Sequence, residues 1–540
     1  MVNRRIVRTT CNRDCPDACG MLAEVEGDRV VRLSGDPEHP VTQGFLCFRT
    51  GRFLGRQYDP QRILRPLLRR HGRQVEIPLP EALDLAAEQL LRIRRESGPA
   101  AILHYRSGGS LGMLTMVTDA FFARFGPTAV KVGDICSGGG DAAQEADFGH
   151  EDAHDIFDLR HARHVINWGK NLFVSNVHLV PLVQEARARG ASVTLIDPAW
   201  TKNAAHADRY LQLRPGGDVA LALAVGQLLF RHGTVPGRGG CDHVAGFEAL
   251  CHARSLADLL AEADVSQADA EHLARVLADG PTTILVGWGL GRRLRGGSAV
   301  RLLDALCALS GNLGVPGGGV SFYYKRRGAF DVSFLPKVTP PRTIIEPLLG
   351  EQILAAKDPP IRALWVTAGN PVAMLPDSRR VAEAFERTEF TVTVDSHHTD
   401  TTRRSTLVLP TTTMLEADDV LGAFGHHWLN VSRPVVPPPD GVLTDLQLVQ
   451  ELARRTGLAE HFAGSARDWK RRLLAKVAPL GASLEAPEQA PVRNPLAAEV
   501  LYAGGKVPTA TGRVQLVQEL PPAPAEEPGY PLWLQSNSAL

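Results

Sequence analysis

Short apolar runs closed by a glycine or an acid recur along this chain, and several are followed by segments with helical spacing. Residues 164–169 read as a strand ending at Gly169, residues 181–189 as a helix, and residues 191–196 as a second strand tipped by Asp197-Pro198. A strand, a glycine turn, a helix and a second strand ending in an acid follow the order of a βαβ nucleotide-binding unit. Backbone N–H groups at such a helix start face phosphate, and the acid at the strand tip accepts from ribose or guanine donors. The motif G-x-G-x-x-G of ordinary NAD sites is absent. The pattern returns at residues 284–291, where a strand runs into Gly287-Trp288-Gly289, followed by a helix over 299–310 and a glycine-rich loop over 311–319. It returns again as strands at 363–366, 392–395 and 407–409, with loops at Gly369-Asn370-Pro371 and 397–401. Residues 100–105 read as a buried strand, 130–135 as a strand-like approach to Cys136, and 141–148 as a helix. Residues 21–33 read as two short strands joined at Gly27-Asp28.

Composition narrows the class. A chain of 540 residues exceeds what one core serves. With 44% hydrophobic and 22% charged residues it is ordinary globular protein, not disorder, collagen or coiled coil. Lys+Arg and Asp+Glu are both 59, so no global field favours nucleic acid or an anionic membrane. Arg outnumbers Lys, which reads as base composition or as bidentate phosphate binding. The most apolar stretch, residues 219–230, is short for a membrane span and contains Gln227. Arg4-Arg5 has no apolar run behind it, so no secretory signal is expected and the default compartment is the cytoplasm.

Four of the eight cysteines fall in the first 47 residues: Cys11, Cys15, Cys19 and Cys47. Clustered thiols in a large cytosolic chain point to metal rather than to disulfides. The spacing C-x3-C-x3-C lacks the paired C-x2-C knuckles of structural zinc. Pro16 inside the run argues for a loop rather than a helix. Three thiolates from one loop and a fourth from a distant turn suit a [4Fe–4S] cluster, with zinc and no metal as the alternatives.

The segments CNRDCPDACG and GDPEHPVTQGFLCFR resemble the N-terminus of the prokaryotic molybdopterin oxidoreductases, the molybdenum or tungsten enzymes with two pterin guanine dinucleotides. These include formate dehydrogenases, nitrate reductases and polysulfide reductases, and the resemblance runs in order along nearly the whole chain. It implies that the four N-terminal thiols hold a [4Fe–4S] cluster. It also implies that Arg49, two residues after Cys47, lies between cluster and pterin. Pro78 to Asp84 stands where the family opens a helix with a Trp-Asp-Glu-Ala segment, without the Trp. Cys136 stands where a Cys, selenocysteine or Ser ligates the metal. A soft thiolate suits that ion, although a buried Cys is more often plain core. Ser137 is the rival ligand. Formate dehydrogenases of the family place a His directly after the ligand, so Ser137 weakens formate as the substrate. Cys307, inside an apolar helix, is expected in the core.

By the same resemblance Trp168, Gly169, Asn171, Asp197, Pro198, Arg214, Gly216, Asp218, Gly287 and Gly289 are implied in cofactor binding, as are Gly369, Asn370, Pro371, Asp395 and Thr399. For each alone, turn chemistry is the plainer reading. His206 and Arg214 are expected on the dinucleotide side. The pairs His397-His398 and His426-His427 read as loop or cofactor polar contacts rather than metal ligands.

The expected fold is α/β: an N-terminal [4Fe–4S] domain plus two doubly wound dinucleotide-binding units, one of them discontinuous. The expected division is 1–58 for the cluster, 59–150 with 320–440 for one pterin dinucleotide, and 151–319, Rossmann-like, for the other. Residues 441–540 are read as a helical segment and the start of a truncated C-terminal domain, which resembles the family from Thr511 to Leu516 and stops near its first strand. The implied function is a molybdenum or tungsten bis-pterin oxidoreductase passing electrons between a small-molecule substrate and the cluster. The implied partner is an electron-transfer subunit, or a chain supplying the missing domain, with no membrane span. The alternative is a cofactor-free or non-redox homologue, either a structural subunit or a hydratase-like enzyme.

Overall fold

The computed structural model of the chain describes residues 4–325 and 327–523, with Gly529 and Leu532. The chain divides into two compact units. Unit 1 takes the chain through Ile135, Ala329–Ala423 and Trp428–Pro495; unit 2 takes Cys136–Gly328, Phe424–His427 and the chain from Leu496 on.

In unit 1 a three-stranded antiparallel sheet, Arg4–Thr10, Gly20–Glu26 and Arg29–Gly35, carries the N-terminal thiols at its end. Gly27 makes the expected turn with φ +60°. The larger element is an eight-stranded sheet. Six of its strands are parallel, in the order Thr343–Ile345, Ala129–Val132, Ile102–Arg106, Ala363–Thr367, Phe390–Val394 and Leu407–Leu409. The hairpin Leu67–Arg70 and Arg73–Glu76 extends it antiparallel. Helix Leu79–Ser97 opens at the Pro78 segment and buries Leu83, Ala86, Leu90 and Ile93 at three-to-four-residue spacing. Helix Asp445–Thr456 packs against it and against Val117–Phe125, which is why residues 441–495 cluster with unit 1.

Unit 2 is built on a five-stranded parallel sheet in the order Arg209–Leu211, Ser192–Ile196, His164–Trp168, Thr282–Val286, Gly319–Ser321. The first strand in sequence lies at the centre, so the order reverses between His164–Trp168 and Thr282–Val286. The apolar run after Asp218 is helix Asp218–Arg231, buried on nearly every side. Its Gln227 amide donates to the Cys251 and Arg254 carbonyls, so this is a core helix. Cys307 is fully buried in helix Gly296–Leu309, and Cys241 and Cys251 are buried too.

Several boundaries differ from the sequence reading. The helix expected over 141–148 is Gly138–Phe148, and the strand expected over 130–135 is Ala129–Val132. In the first turn of that helix Gly140 has no space for a side chain. A Cβ on Gly140 would lie 2.1 Å from Phe322 Cζ. This packing also groups residues 136–150 and 320–328 with unit 2. Val514–Gln515 pairs in parallel with Cys241–Asp242, within unit 2. The end of the expected truncated domain, beyond residue 523, lies outside the described residues apart from Gly529 and Leu532. Among the described residues no helix is long and apolar enough to cross a membrane.

Candidate functional site

The first strand of the chain ends at Thr10 and the second begins at Gly20, so the segment carrying Cys11, Cys15 and Cys19 is a closed loop. The Cys11 N–H donates to the Cys19 carbonyl at 2.9 Å and shuts it. Pro16 sits in this non-helical stretch, and Ala18 takes a positive φ of 37°. Cys47 is brought back by the turns at residues 36–44. His39 Nδ1 accepts from the Val41 and Thr42 N–H groups, and the Gly20 N–H donates to Thr42 Oγ1 at 2.9 Å. Gly35 must be glycine here, since a Cβ would lie 2.5 Å from the Phe45 nitrogen. Thr50 Oγ1 then stands 3.5 Å from Cys11 Sγ and 3.4 Å from Cys47 Sγ.

Burial pushes the thiols of Cys11, Cys15 and Cys19 above the usual range, and neighbouring thiols and Asp17 add to this for Cys15 and Cys19. Each of these three also feels Cys47, so all four thiols share one small region. Four buried or half-buried sulfurs in one region are a donor set for a soft cationic group. None is in a disulfide.

The thiols open onto a cavity of about 570 Å³ within unit 1, the size of a cofactor pocket. Its far wall is made by loops at the carboxyl ends of the parallel strands, where open α/β sheets bind ligands. Gly108-Gly109 follow strand Ile102–Arg106, Ala368-Gly369-Asn370 follow Ala363–Thr367, and Asp395 follows Phe390–Val394. These loops pack closely: a Cβ on Gly109 would lie 2.5 Å from the Ala368 carbonyl oxygen, and one on Gly369 2.8 Å from the Tyr105 ring. Asn370 holds its loop by accepting from Thr401 Oγ1 at 2.7 Å. Burial raises the Asp395 carboxyl, which accepts from the His397 N–H. Thr399 lines the cavity, and its N–H donates to Thr402 Oγ1. Pro371 is buried behind the wall, at the first turn of a short helix. Arg49 lines the cavity on the thiol side.

Several cavity groups escaped the sequence reading. Arg13 and Arg56 add positive charge beside Arg49. Asp419 and Asp445 face the same space, with burial raising their carboxyls to about 8 and about 6. Both Asp419 oxygens accept from the Leu114 N–H. Behind the wall Arg62 and Glu416 form a buried bidentate pair at 2.6 and 2.5 Å, and Gln57 and the Thr413 N–H complete the carboxylate's hydrogen bonds. The Glu416-Ala417-Asp418 string was the only local signal for this network. His397 bridges Ser396 Oγ and the Arg56 carbonyl, and His427 meets the Ala153 carbonyl, so both make polar loop contacts.

In unit 2 the residues singled out by sequence gather at the carboxyl edge of the sheet, on both sides of the point where strand order reverses. Gly169 has φ +71°, and the Gly287 N–H donates to the Trp168 carbonyl at 2.8 Å. A Cβ on Gly169 would lie 2.8 Å from Leu290 Cδ1. The Trp168 indole N–H donates at 2.8 Å to Asp218 Oδ1, at the start of helix Asp218–Arg231. Asp197 is buried and accepts from the Ala199 N–H at 2.9 Å. Burial raises both the Asp197 and the Asp218 carboxyls. Pro198 follows the strand tip, where its carbonyl accepts from Gln212. Asn171 Oδ1 accepts from Asn203 Nδ2 at 3.2 Å. Gly216, with φ +90°, and exposed Arg214 form the turn before Asp218. Gly289 is exposed, with open space around its Cα. His206 lies beside Phe173, ring centroids 4.8 Å apart.

Cys136 is half-buried, two residues before helix Gly138–Phe148. The glycines after it pack on the turn that follows Gly289: a Cβ on Gly297 would lie 2.9 Å from the Gly139 oxygen. Ser137 Oγ donates to Asp141 Oδ2 at 2.6 Å.

Comparisons with known proteins identify the family. Residues 62–455 match the family described as molybdopterin oxidoreductase, and residues 5–59 match its Fe4S4 domain. Probable oxidoreductase YyaE of Bacillus subtilis (strain 168) is 34% identical over 473 residues, which is 86% of this chain and 71% of that protein. The F420-dependent formate dehydrogenase subunit alpha of Methanocaldococcus jannaschii is 25% identical over 492 residues, 85% of this chain and 71% of that one. Among solved structures, acetylene hydratase from Pelobacter acetylenicus superposes with a TM-score of 0.80 at 20% identity, over 94% of this chain and 77% of that chain, a likeness of fold. The two matched domains indicate a [4Fe–4S] cluster and a molybdenum or tungsten pterin as cofactors. The chain belongs to the molybdopterin oxidoreductase family, with its Fe4S4 domain.

Proposed function

We propose that this chain is the redox subunit that moves electrons between a small-molecule substrate and a [4Fe–4S] cluster held by Cys11, Cys15, Cys19 and Cys47. The observation that carries the reading is the convergence of those four thiols on one large cavity at the carboxyl ends of a parallel sheet. One pterin dinucleotide would lie against Gly369, Asn370, Asp395 and Thr399 in unit 1. The other would lie at the strand-order reversal of unit 2, against Trp168, Gly169, Asp197, Asp218 and Gly287. When bound, the pterin-held metal supplies substrate oxidation or reduction and the cluster supplies single-electron transfer.

The chain's own residues prepare for these groups. Glycines at the two sheet edges let backbone approach closely. Buried carboxyls held above their usual range at Asp197 and Asp218 are ready to accept from base or ribose donors. Arg49 offers positive charge on the cavity side of the thiols. Cys136, ahead of a helix start, would present a thiolate to the metal, favoured there by the helix dipole. Ser137 offers no imidazole, and its hydroxyl is engaged by Asp141. This speaks against a proton-abstracting His beside the metal and so against formate.

The test is anaerobic purification of the full chain, with metal and pterin analysis and dye-linked turnover of a panel of small molecules. About four irons, and molybdenum or tungsten with pterin, are expected. One zinc and no iron would sink the cluster reading. Turnover with no electron acceptor present would replace the redox reading with a hydratase-like one.

A further inference from the structure

Gly133-Asp134-Ile135 lead from strand Ala129–Val132 into Cys136. Val132, Gly133 and Asp134 are exposed, Gly133 has φ +70°, and a Cβ on it would meet nothing within 4 Å. This approach is nevertheless tied at both ends by one group of side chains in unit 1. The parallel register pairs Ile345 with Val132, which sets the next residue, Glu346, beside the approach. The Ile135 N–H donates to Glu346 Oε2 at 3.1 Å. Glu346 Oε1 accepts from the Tyr105 hydroxyl at 2.7 Å and meets Lys131 Nζ at 3.1 Å. Lys131 Nζ in turn donates to the Gly133 carbonyl at 3.2 Å. Glu346 is 2% exposed, and such a carboxylate needs partners of this kind to stay buried. Burial and the neighbouring Glu346 raise the pKa of the Tyr105 hydroxyl, so it remains a donor. The Tyr105 ring also lies behind Gly369 in the cavity wall.

We propose that Glu346 is a positioning residue for the metal ligand Cys136, with Lys131 and Tyr105 holding its carboxylate in place. The proposal rests on the reading of Cys136 as that ligand. Glu346 acts through the backbone. It fixes the Ile135 N–H directly and the Gly133 carbonyl through Lys131, so the chain just before the sulfur cannot swing on its exposed glycine. Partners that orient a metal ligand tune the metal as well as holding it, and their loss costs about 10–100-fold in affinity or activity. Because Tyr105 is shared, the approach to Cys136 and the wall at Gly369 hang on one anchor.

The experiment compares full-length holoenzyme, purified anaerobically, with its Glu346→Ala, Glu346→Gln and Lys131→Met variants. The readouts are the electron paramagnetic resonance signal of the pterin-held metal, kcat and KM of dye-linked turnover, and iron content. Glu346→Ala should shift the signal and lower kcat about tenfold, with KM within about twofold and iron unchanged. Glu346→Gln still offers the Ile135 N–H an acceptor, so it should sit closer to wild type in both signal and kcat. Lys131→Met frees the Gly133 carbonyl and should shift the signal too. A wild-type signal in folded, iron-replete Glu346→Ala, or turnover lost with no shift in the signal, would overturn the positioning role alone. So would a Glu346→Gln signal no nearer to wild type than that of Glu346→Ala. If Glu346→Ala does not fold, a wild-type signal in Lys131→Met would overturn it. A metal signal unmoved by Cys136→Ala would instead overturn the ligand reading, and this proposal with it.

Discussion

Gly287 and Gly169 face each other across the strand-order reversal of unit 2, so closely that a Cβ on Gly287 would lie 1.9 Å from the Gly169 carbonyl oxygen. The Gly287 N–H already donates to the neighbouring Trp168 carbonyl. Two strand ends are thereby locked together with bare backbone at the edge where a dinucleotide would sit.

That contact sets the first expectation. Gly287→Ala should destabilise the protein by about 1–3 kcal/mol, because neither strand end can retreat without losing the shared hydrogen bond. Gly289→Ala, with open space around it, should stay within about 0.5 kcal/mol. Thermal melts of the two variants side by side check this, and equal melts would show that the strand ends can move apart.

Iron binding tests the N-terminal loop. Cys47→Ala and Cys15→Ala should each cut the iron bound from about four per chain to a small fraction and bleach the cluster absorbance. Cys251→Ala, in the core of unit 2, should leave iron unchanged. Retention of full iron in Cys47→Ala would remove that residue from the ligand set.

Cys136 and Cys307 form a second contrast. Cys136→Ala should abolish dye-linked turnover while the cluster and the fold persist. Cys307→Ala should lower the melting temperature through a buried void and leave turnover per folded molecule intact. Full turnover in Cys136→Ala would direct attention to Ser137.

The buried pair Arg62 and Glu416 makes an energetic prediction. Glu416→Ala leaves a guanidinium in the interior without its bidentate partner. It should cost about 3–5 kcal/mol in denaturant unfolding. A loss under about 1 kcal/mol would mean that water reaches Arg62, as it does in surface pairs.

A pH dependence follows from Asp147 and Asp304, packed together in unit 2 between helices Gly138–Phe148 and Gly296–Leu309. Burial raises both carboxyls, Asp147 to about 7, with the Arg301 guanidinium 2.6 Å away opposing this. The folded pair therefore keeps a proton that the unfolded chain gives up near its ordinary carboxyl range. Its contribution to stability is full in acid and is lost as pH rises toward about 7. Asp304→Asn should flatten the fall in melting temperature between pH 5 and pH 8 by about 3 °C. An unchanged slope would show that the pair is not what titrates.

The sequence alone determined the features whose signals are local. Thiol spacing broken by Pro16 announced a metal-binding loop. Apolar runs ending in glycine or acid announced parallel strands with their turns at one edge, because strand period and turn chemistry depend on residues a few positions apart. Family resemblance added the cofactors. Tertiary structure decided what depends on distant partners. That Arg13 and Arg56 face the same cavity as Arg49, that Glu416 meets Arg62, and that Gly140 must be glycine because Phe322 occupies its side-chain space all involve residues scores to hundreds of positions apart. No periodicity encodes such pairs; they arise when strand order and helix packing bring separate turns to one edge.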